Sequence, residues 1–228
     1  MRNMLVILGG LAIIVVVAVG LYQWLGNPAV TVAPQAEAPA APAPMAGDAA
    51  KVRDSDFVIG SPSAPVTLIE YASLTCPHCA DFHNAVLPRL KKEYIDPGKL
   101  RVVYRDFPLN AGALRASALA RCSGRERFFG FLDLLFKRQA QWAFGPNPMA
   151  ALGEIAALGG LTEQDLAACF EDSKLLEQIA LQKKEAEEKF GVDSTPSFII
   201  NGRKHTGSPS YEGLKAAIDP LISSGGKK

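Results

Sequence analysis

The stretch that decides the fold is residues 66–83, VTLIEYASLTCPHCADFH. Its first part, residues 66–71, is a short apolar run that carries one acid, and it predicts a buried strand. From residue 76 to about residue 94 the apolar side chains recur at helical spacing and predict a helix, which Pro88 should kink or split. The tetrapeptide CPHC, residues 76–79, is therefore placed directly after a strand and at the opening of a helix.

Each residue of this tetrapeptide has a physical reason to stand at a helix start. Pro77 suits the first helical position and makes Cys76 the N-cap. There the sulfur faces free N–H groups and the positive end of the macrodipole, so we expect the pKa of Cys76 to lie below that of a free cysteine. His78 adds a further donor or a positive charge beside the same sulfur. Cys79 follows one turn later, within disulfide range and less exposed, which suits a resolving thiol. A stabilised Cys76 thiolate favours the dithiol, so the disulfide form is predicted to be an oxidant.

A C-x-x-C motif also has uses other than redox chemistry. One such use is half of a zinc site, because His83 lies one turn beyond Cys79. No second C-x-x-C and no H-x-x-x-H follows in the sequence, so no metal site is predicted. Haem attachment needs a histidine directly after the second cysteine, where this chain has Ala80. A purely structural disulfide would leave the proline and histidine between the cysteines, together with Glu70, unexplained.

Glu70 stands six residues before Cys76 in an otherwise apolar strand. A buried carboxylate is costly unless it is neutral or has a partner. One interpretation is a proton acceptor for Cys79 during disulfide exchange. The alternative is an acid that faces solvent on an edge strand.

The rest of the soluble region predicts an α/β domain. A second strand is expected over residues 100–107, parallel to the first with a right-handed crossover. Helical signals fill residues 110–172, and a long helix follows to Phe190. A β-hairpin with a type I′ turn at Asn201-Gly202 comes next. A last helix is expected to reach about Ser223, with Ser208 as its cap and Pro209 at its first position.

These features together resemble the DsbA-like branch of the thioredoxin superfamily. They are CPHC after a strand, an acid six residues upstream, a helical insertion, and Thr195-Pro196 before a β-hairpin. The resemblance covers residues 57–223. It implies a thioredoxin fold, in which a βαβ unit and a ββα unit share a mixed central sheet and an all-helical insertion at about residues 110–172 separates them.

The resemblance also implies roles for individual residues. Pro196 should be cis and pack beside the disulfide, with the backbone of Thr195 pairing to substrate. Cys76 should be the exposed, attacking sulfur, and Cys79 should resolve the mixed disulfide. A DsbB-like membrane quinone reductase is the implied reoxidising partner. One departure is the threonine before the proline: the best-known strongly oxidising members have an apolar residue there, whereas threonine also occurs in isomerases and reductases.

A second pair of cysteines lies within the predicted insertion. Cys122 follows Leu114 and Ala118 at spacing four, and Cys169 follows Leu166 at spacing three, so both lie on apolar helix faces. In an exported protein two such thiols are expected to form a structural disulfide. Two unpaired buried thiols are the alternative.

The first fifth of the chain differs from the rest, because no charged side chain occurs between Arg2 and Glu37. Residues 1–25 predict a membrane anchor, since the 22 uncharged residues from Met4 to Leu25 could span a bilayer as a helix. A cleaved signal segment is the alternative. Residues 26–50 hold ten Ala and five Pro and predict an extended linker. The basic flank at Arg2 predicts a cytoplasmic N-terminus and an exported domain at residues 51–228.

The overall charge limits the possible partners. The chain has 24 basic and 23 acidic side chains and a formal charge of +1, which provides no field for holding nucleic acid. The sequence therefore predicts a monomeric thiol-disulfide oxidoreductase, without a cofactor, at the periplasmic face of the inner membrane. It would donate the Cys76–Cys79 disulfide to reduced exported proteins. The alternatives are a disulfide isomerase or client-specific reductase, and a tethered chaperone or metal-binding module.

Overall fold

The computed structural model describes residues 51–225, which contain five strands and nine α-helices. The strands are β1 Phe57–Ile59, β2 Val66–Ala72, β3 Leu100–Asp106, β4 Ser197–Ile200 and β5 Arg203–Lys204. The helices are α1 Pro77–Asp81, α2 Leu87–Leu90, α3 Ala111–Cys122, α4 Phe128–Lys137, α5 Gln139–Ala143, α6 Pro148–Leu158, α7 Glu163–Glu171, α8 Ser173–Phe190 and α9 Tyr211–Gly225.

The strands form one mixed sheet in the order β1-β3-β2-β4-β5. Strands β2 and β3 are parallel, as the predicted βαβ unit requires, and the other three pairings are antiparallel. This confirms the expected thioredoxin fold with its mixed central sheet. Strand β2 lies at the centre of the sheet. The edge strand β1 was not predicted, because three residues are too few to show a periodic pattern.

The helix that follows the CPHC motif is interrupted, as Pro88 predicts. A π-helical turn, Phe82–Val86, separates α1 from α2, and the N–H of Leu87 donates to the carbonyl of Phe82 five residues back. Proline has no N–H and its ring clashes with the carbonyl four residues earlier, so a regular α-helix cannot pass through Pro88. A second π-helical turn, Lys91–Ile95, ends the segment.

The predicted helical insertion consists of α3 to α7, between β3 and the long helix α8. Several of its aromatic residues, including Phe128, Phe136 and Trp142, lie in one buried cluster that also contains Cys76 and Cys79. The insertion therefore builds one wall of the region around the cysteines. Within it, the N-cap of helix α7 is Thr162, which makes a reciprocal capping box with Asp165.

Helices α8 and α9 complete the core by covering further parts of the sheet. Ile218 of α9 packs in one cluster with Leu68 of β2 and Leu90 of α2. Ala186 of α8 packs in another with Val103 of β3. Helices on both faces explain why the central strands are apolar almost throughout.

A buried ion pair ties the segment before β1 to the sheet. Both Asp56 and Arg105 have fully buried side chains, and Arg105 Nη2 lies 2.7 Å from Asp56 Oδ2. Arg105 Nη1 also donates to the hydroxyl of Tyr71 at 2.9 Å. The charges are compensated inside the protein, as buried charges must be.

The C-terminal hairpin has the predicted turn, because Asn201 and Gly202 both have positive φ values, 44° and 83°. The start of the last helix differs from the prediction. Helix α9 begins at Tyr211, and Ser210 Oγ accepts from the backbone N–H of Gly213, so Ser210 caps the helix in place of Ser208. Both serines fit the cap preference, which does not distinguish the earlier serine from the later one.

The predicted anchor, residues 1–25, and the predicted linker, residues 26–50, lie outside the described residues. Within residues 51–225, no helix has the length and apolar character needed to span a bilayer.

Candidate active site

Cys76 is the N-cap of α1, as predicted. Strand β2 ends at Ala72, the chain turns, and Cys76 keeps an extended backbone (φ −87°, ψ 121°) before Pro77 opens the helix. The residue is only 6% exposed, so the expectation of an exposed attacking sulfur is wrong for this structure, although Cys76 is still less buried than Cys79. Its sulfur lies 3.3 Å from the carbonyl oxygen of Thr195, which accepts its S–H in the thiol form.

The surroundings of Cys76 favour its thiolate. A hydrogen bond from the Cys79 thiol is the largest cause that lowers the pKa of Cys76, and the Thr195 side chain and the backbone N–H groups of Cys79 and His78 add to it. Burial acts against them, but the pKa still falls from 9.0 to about 5. The Thr195 hydroxyl oxygen is buried and makes no hydrogen bond of ordinary length and angle among residues 51–225. Cys76 is thus predominantly a thiolate at neutral pH.

Cys79 behaves in the opposite way. It is fully buried, and desolvation, the hydrogen bond to Cys76 and the negative charge of Glu70 raise its pKa far above the usual range. Both cysteines carry free thiols in this structure. This contrast in pKa fits two different roles. The Cys76 sulfur is suited to act as a nucleophile and as a leaving group in its thiolate form, whereas the Cys79 sulfur must lose a proton before it can react.

Glu70 lies in the central strand and is fully buried. The alternative of a solvent-facing acid on an edge strand is therefore wrong, because β3 and β4 pair with β2 on its two sides. Glu70 Oε2 lies 2.9 Å from Nε2 of His83, which is 6% exposed. Glu70 Oε1 has no hydrogen-bond partner within the described part of the chain. The role of Glu70 as a proton acceptor stays a prediction.

His83 belongs to the site, although its position one turn beyond Cys79 indicated only a possible zinc ligand. Its ring is held against Phe136 of the insertion, with centroids 4.1 Å apart. Because Nε2 contacts Glu70, this nitrogen is already engaged. In residues 51–225 no group of three or more His, Cys, Asp or Glu side chains is arranged to hold a metal ion.

The Thr195–Pro196 peptide bond is cis, as the resemblance implies. Together with the contact between the Thr195 carbonyl and Cys76, this places the residues before β4 beside the attacking sulfur. The pairing of the Thr195 backbone with a substrate remains a prediction.

Gln139, at the start of α5, is a residue of the site that the sequence did not predict. Its amide nitrogen donates to the carbonyl oxygens of Leu74 at 2.8 Å and of Cys76 at 2.9 Å. The insertion thereby fixes the loop that carries the attacking cysteine. Gln139 is 63 residues from Cys76 and lies in no motif, so no pattern in the sequence could have identified it.

The remaining predicted residues lie at the surface or within the insertion. The His78 ring is 81% exposed and lies 3.8 Å from Asp81, so the contribution of this residue to the thiolate comes from its backbone N–H. Cys122 and Cys169 form the expected disulfide between α3 and α7, with Cα atoms 6.1 Å apart. The alternative of two unpaired thiols is wrong for this structure.

Comparison with known proteins agrees with this geometry. Residues 53–220 match a family model described as Thioredoxin. A Rickettsia bellii protein named as a protein-disulfide oxidoreductase is 35% identical over 75% of this chain and 66% of its own length. A Bacillus cereus protein named as disulfide bond formation protein D is 27% identical over 71% of this chain and 76% of its own length. Across the first two Rickettsia relatives, the match spans 62% to 66% of their length.

Among solved structures, the chain is similar to alpha-DsbA1 of Wolbachia pipientis, with a TM-score of 0.71 and 34% identity. That match covers 76% of this chain and 94% of the Wolbachia chain. The family match, the relatives and the arrangement of Cys76, Cys79 and cis-Pro196 agree with one another. The chain therefore belongs to the thioredoxin family, in its DsbA-like branch.

Proposed function

We propose that this protein is a thiol-disulfide oxidoreductase that donates the Cys76–Cys79 disulfide to reduced exported proteins. The observation that carries the proposal is the contrast between the two thiols. The pKa of Cys76 is lowered to about 5, whereas burial raises that of Cys79. A dithiol that contains a stable thiolate is favoured over its disulfide, so the disulfide form tends to oxidise other thiols.

The reaction follows from this contrast. A substrate thiolate attacks Cys76 Sγ in the disulfide form, the Cys76–Cys79 bond breaks, and Cys79 leaves and takes up a proton. A second substrate thiolate then attacks the substrate sulfur of the mixed disulfide, and Cys76 leaves as a thiolate. Two electrons pass from the substrate to the protein. A leaving thiol of low pKa departs quickly, which makes Cys76 the favourable leaving group in the second step.

The site also suggests how a substrate is held. The carbonyl of Thr195 lies beside Cys76 Sγ, and we propose that the backbone of Thr195, ahead of cis-Pro196, pairs with the extended chain around the substrate cysteine. Backbone pairing is independent of sequence and suits varied clients. No cofactor beyond the cysteine pair is required by this reaction.

The cellular setting rests on residues 1–50. We propose that residues 1–25 anchor the protein in the inner membrane, with residues 51–228 on the periplasmic side at the end of the linker, as a monomer. The reduced protein would be reoxidised by a DsbB-like membrane quinone reductase. The name of the Bacillus relative, a disulfide bond formation protein, is consistent with a donor role.

The test is oxidation of a reduced two-cysteine peptide by the oxidised full-length protein in detergent. One disulfide per protein is expected, and Cys76→Ser should abolish the reaction. The double variant Cys122→Ser, Cys169→Ser is the matched control and should retain it. Oxidation by the Cys76→Ser protein at the wild-type rate would refute the proposal.

A second candidate is a disulfide isomerase or client-specific reductase, which the threonine at position 195 favours. The two candidates differ in the reduction potential of the Cys76–Cys79 pair. A potential near the thioredoxin value of about −270 mV would favour a reductase, and a much more oxidising one a donor. Rescue of a scrambled substrate would favour an isomerase. A tethered chaperone or metal-binding module is not favoured, because His83 is bound to Glu70.

A further inference from the structure

The buried carboxyl of Glu70 uses only one of its two oxygens. Oε2 lies 2.9 Å from His83 Nε2, while Oε1 is buried and has no hydrogen-bond partner in residues 51–225. A buried polar atom without a partner is costly, and its persistence calls for an explanation. An oxygen that must periodically accept a proton is one such explanation.

His83 is placed to fix this arrangement. It follows Cys79 by four residues, so both side chains lie on one side of the helical segment. Its ring stacks on Phe136 and meets the edges of Phe82 and Tyr104, with centroids 5.4 Å and 5.9 Å away. Aromatic contacts on several sides prevent the ring from turning away from Glu70.

The direction of the hydrogen bond follows from the chemistry of the pair. An ionised carboxylate only accepts hydrogen bonds, so a Glu70 that acts as a base requires Nε2 to carry the proton and donate to Oε2. This leaves the lone pairs of Oε1 as the acceptor that is still free.

We propose that His83 is a positioning residue that binds Glu70 Oε2 and leaves Oε1 to take the proton of Cys79. This inference rests on the proposed function and on the predicted role of Glu70 as the proton acceptor for Cys79. The negative charge of Glu70 raises the pKa of Cys79, which is consistent with the two groups lying close together.

The step concerned is the resolution of a mixed disulfide when the reduced protein is oxidised. With glutathione disulfide as oxidant, the Cys76 thiolate attacks one glutathione sulfur and releases the other as a thiolate. The Cys79 proton then passes to Glu70 Oε1, Cys79 attacks Cys76 Sγ, and the second glutathione thiolate leaves. The protein loses two electrons, and glutathione disulfide gains them.

The experiment measures both steps separately in the full-length protein. Reduced protein is mixed with glutathione disulfide, quenched with acid at set times, and analysed by mass, so that formation and decay of the mixed disulfide are followed independently. His83→Phe keeps an aromatic ring but loses the donor. His83→Gln keeps a donor that can reach Oε2. Glu70→Gln removes the carboxylate that would take up the proton of Cys79.

We expect His83→Phe to slow the decay of the mixed disulfide about 10- to 100-fold, because it would lose part of the usual contribution of a general base. The rate at which the mixed disulfide forms should stay within about twofold of the wild-type rate. His83→Gln should recover most of the decay rate. In the Glu70→Gln background, His83→Phe should cause no further loss. A merely structural role for the ring would not give rescue by glutamine or a loss confined to one step.

Several results would overturn the inference. If Glu70→Gln slows the decay but His83→Phe does not, His83 has no such role, although the role of Glu70 stands. If Glu70→Gln itself decays at the wild-type rate, the proton acceptor proposed for Cys79 is wrong. Should His83→Phe fail to fold, the wild-type ring still provides a test: its ¹⁵N chemical shifts should show a protonated Nε2, and a bare Nε2 would contradict the proposal.

Discussion

The lowered pKa of Cys76 should be visible in how the reduction potential depends on pH. Reduction of the disulfide takes up one proton for each sulfur that is protonated at the pH of the measurement. With the pKa of Cys76 lowered from 9.0 to about 5 and that of Cys79 raised, only Cys79 takes a proton between pH 5 and pH 9. The potential should therefore fall by about 30 mV per pH unit in this window, and by about 59 mV per unit below pH 5, where two protons are taken up.

The same shift has a definite sign for stability. Because the pKa of Cys76 is lower in the folded than in the unfolded protein, the thiolate stabilises the folded dithiol form. This stabilisation is complete above about pH 9 and is lost as the pH falls through about 5. The disulfide form has no Cys76 thiol and lacks this dependence. Unfolding of the two forms should thus show a stability difference that changes between pH 9 and pH 5.

The potential can be measured by equilibrating the protein with glutathione buffers from pH 4 to pH 8, followed by acid quenching and thiol labelling. The pH dependence of glutathione itself is subtracted. Thr195→Val is the matched variant: it removes a hydroxyl that lowers the pKa of Cys76, so the change of slope should move to higher pH. A slope of about 59 mV per unit that persists to pH 8 in the wild type would refute the reasoning.

Three further predictions concern stability and are checked by urea unfolding of the full-length protein. The double variant Cys122→Ser, Cys169→Ser should lose up to about 4 kcal/mol, by the chain-entropy model for a disulfide with a sequence separation of 47; an unchanged midpoint would contradict this. Gln139→Leu removes two buried hydrogen bonds to the active-site loop and should cost about 1–3 kcal/mol; a stability equal to wild type would argue against the brace. Asp56→Asn removes the carboxylate from the buried ion pair with Arg105 and should cost about 3–5 kcal/mol; a cost below about 1 kcal/mol, as for a surface pair, would contradict this.

What could be predicted from the sequence is the local chemistry around the CPHC motif. The cap at Cys76 and the proline at the first helical position depend on neighbouring residues, so the pattern contains the information. The interruption at Pro88 has a similarly local cause. The resemblance to a known family provided the cis peptide before Pro196, because nothing in a single X-Pro pair distinguishes cis from trans.

What could not be predicted depends on contacts between distant parts of the chain. A strand that carries Glu70 looks the same at the edge and at the centre of a sheet, and only its pairing with both neighbours decides the matter. His83 was visible as a polar residue on the helix, but its partner lies on a strand. Gln139 reaches the active-site loop because the insertion folds back over it, which no spacing rule encodes.

The π-helical turn at Phe82–Val86 has a consequence for engineering and for evolution. Consecutive residues of an α-helix are about 100° apart around its axis, so the loss of one residue from this turn would rotate everything before it relative to everything after it by about that angle. Cys79 lies before the turn, while Leu90, after it, is anchored in the core beneath α9. A single deletion here would turn either the cysteine away from Glu70 or the leucine out of the core. This segment should therefore tolerate substitutions far better than the removal of a residue.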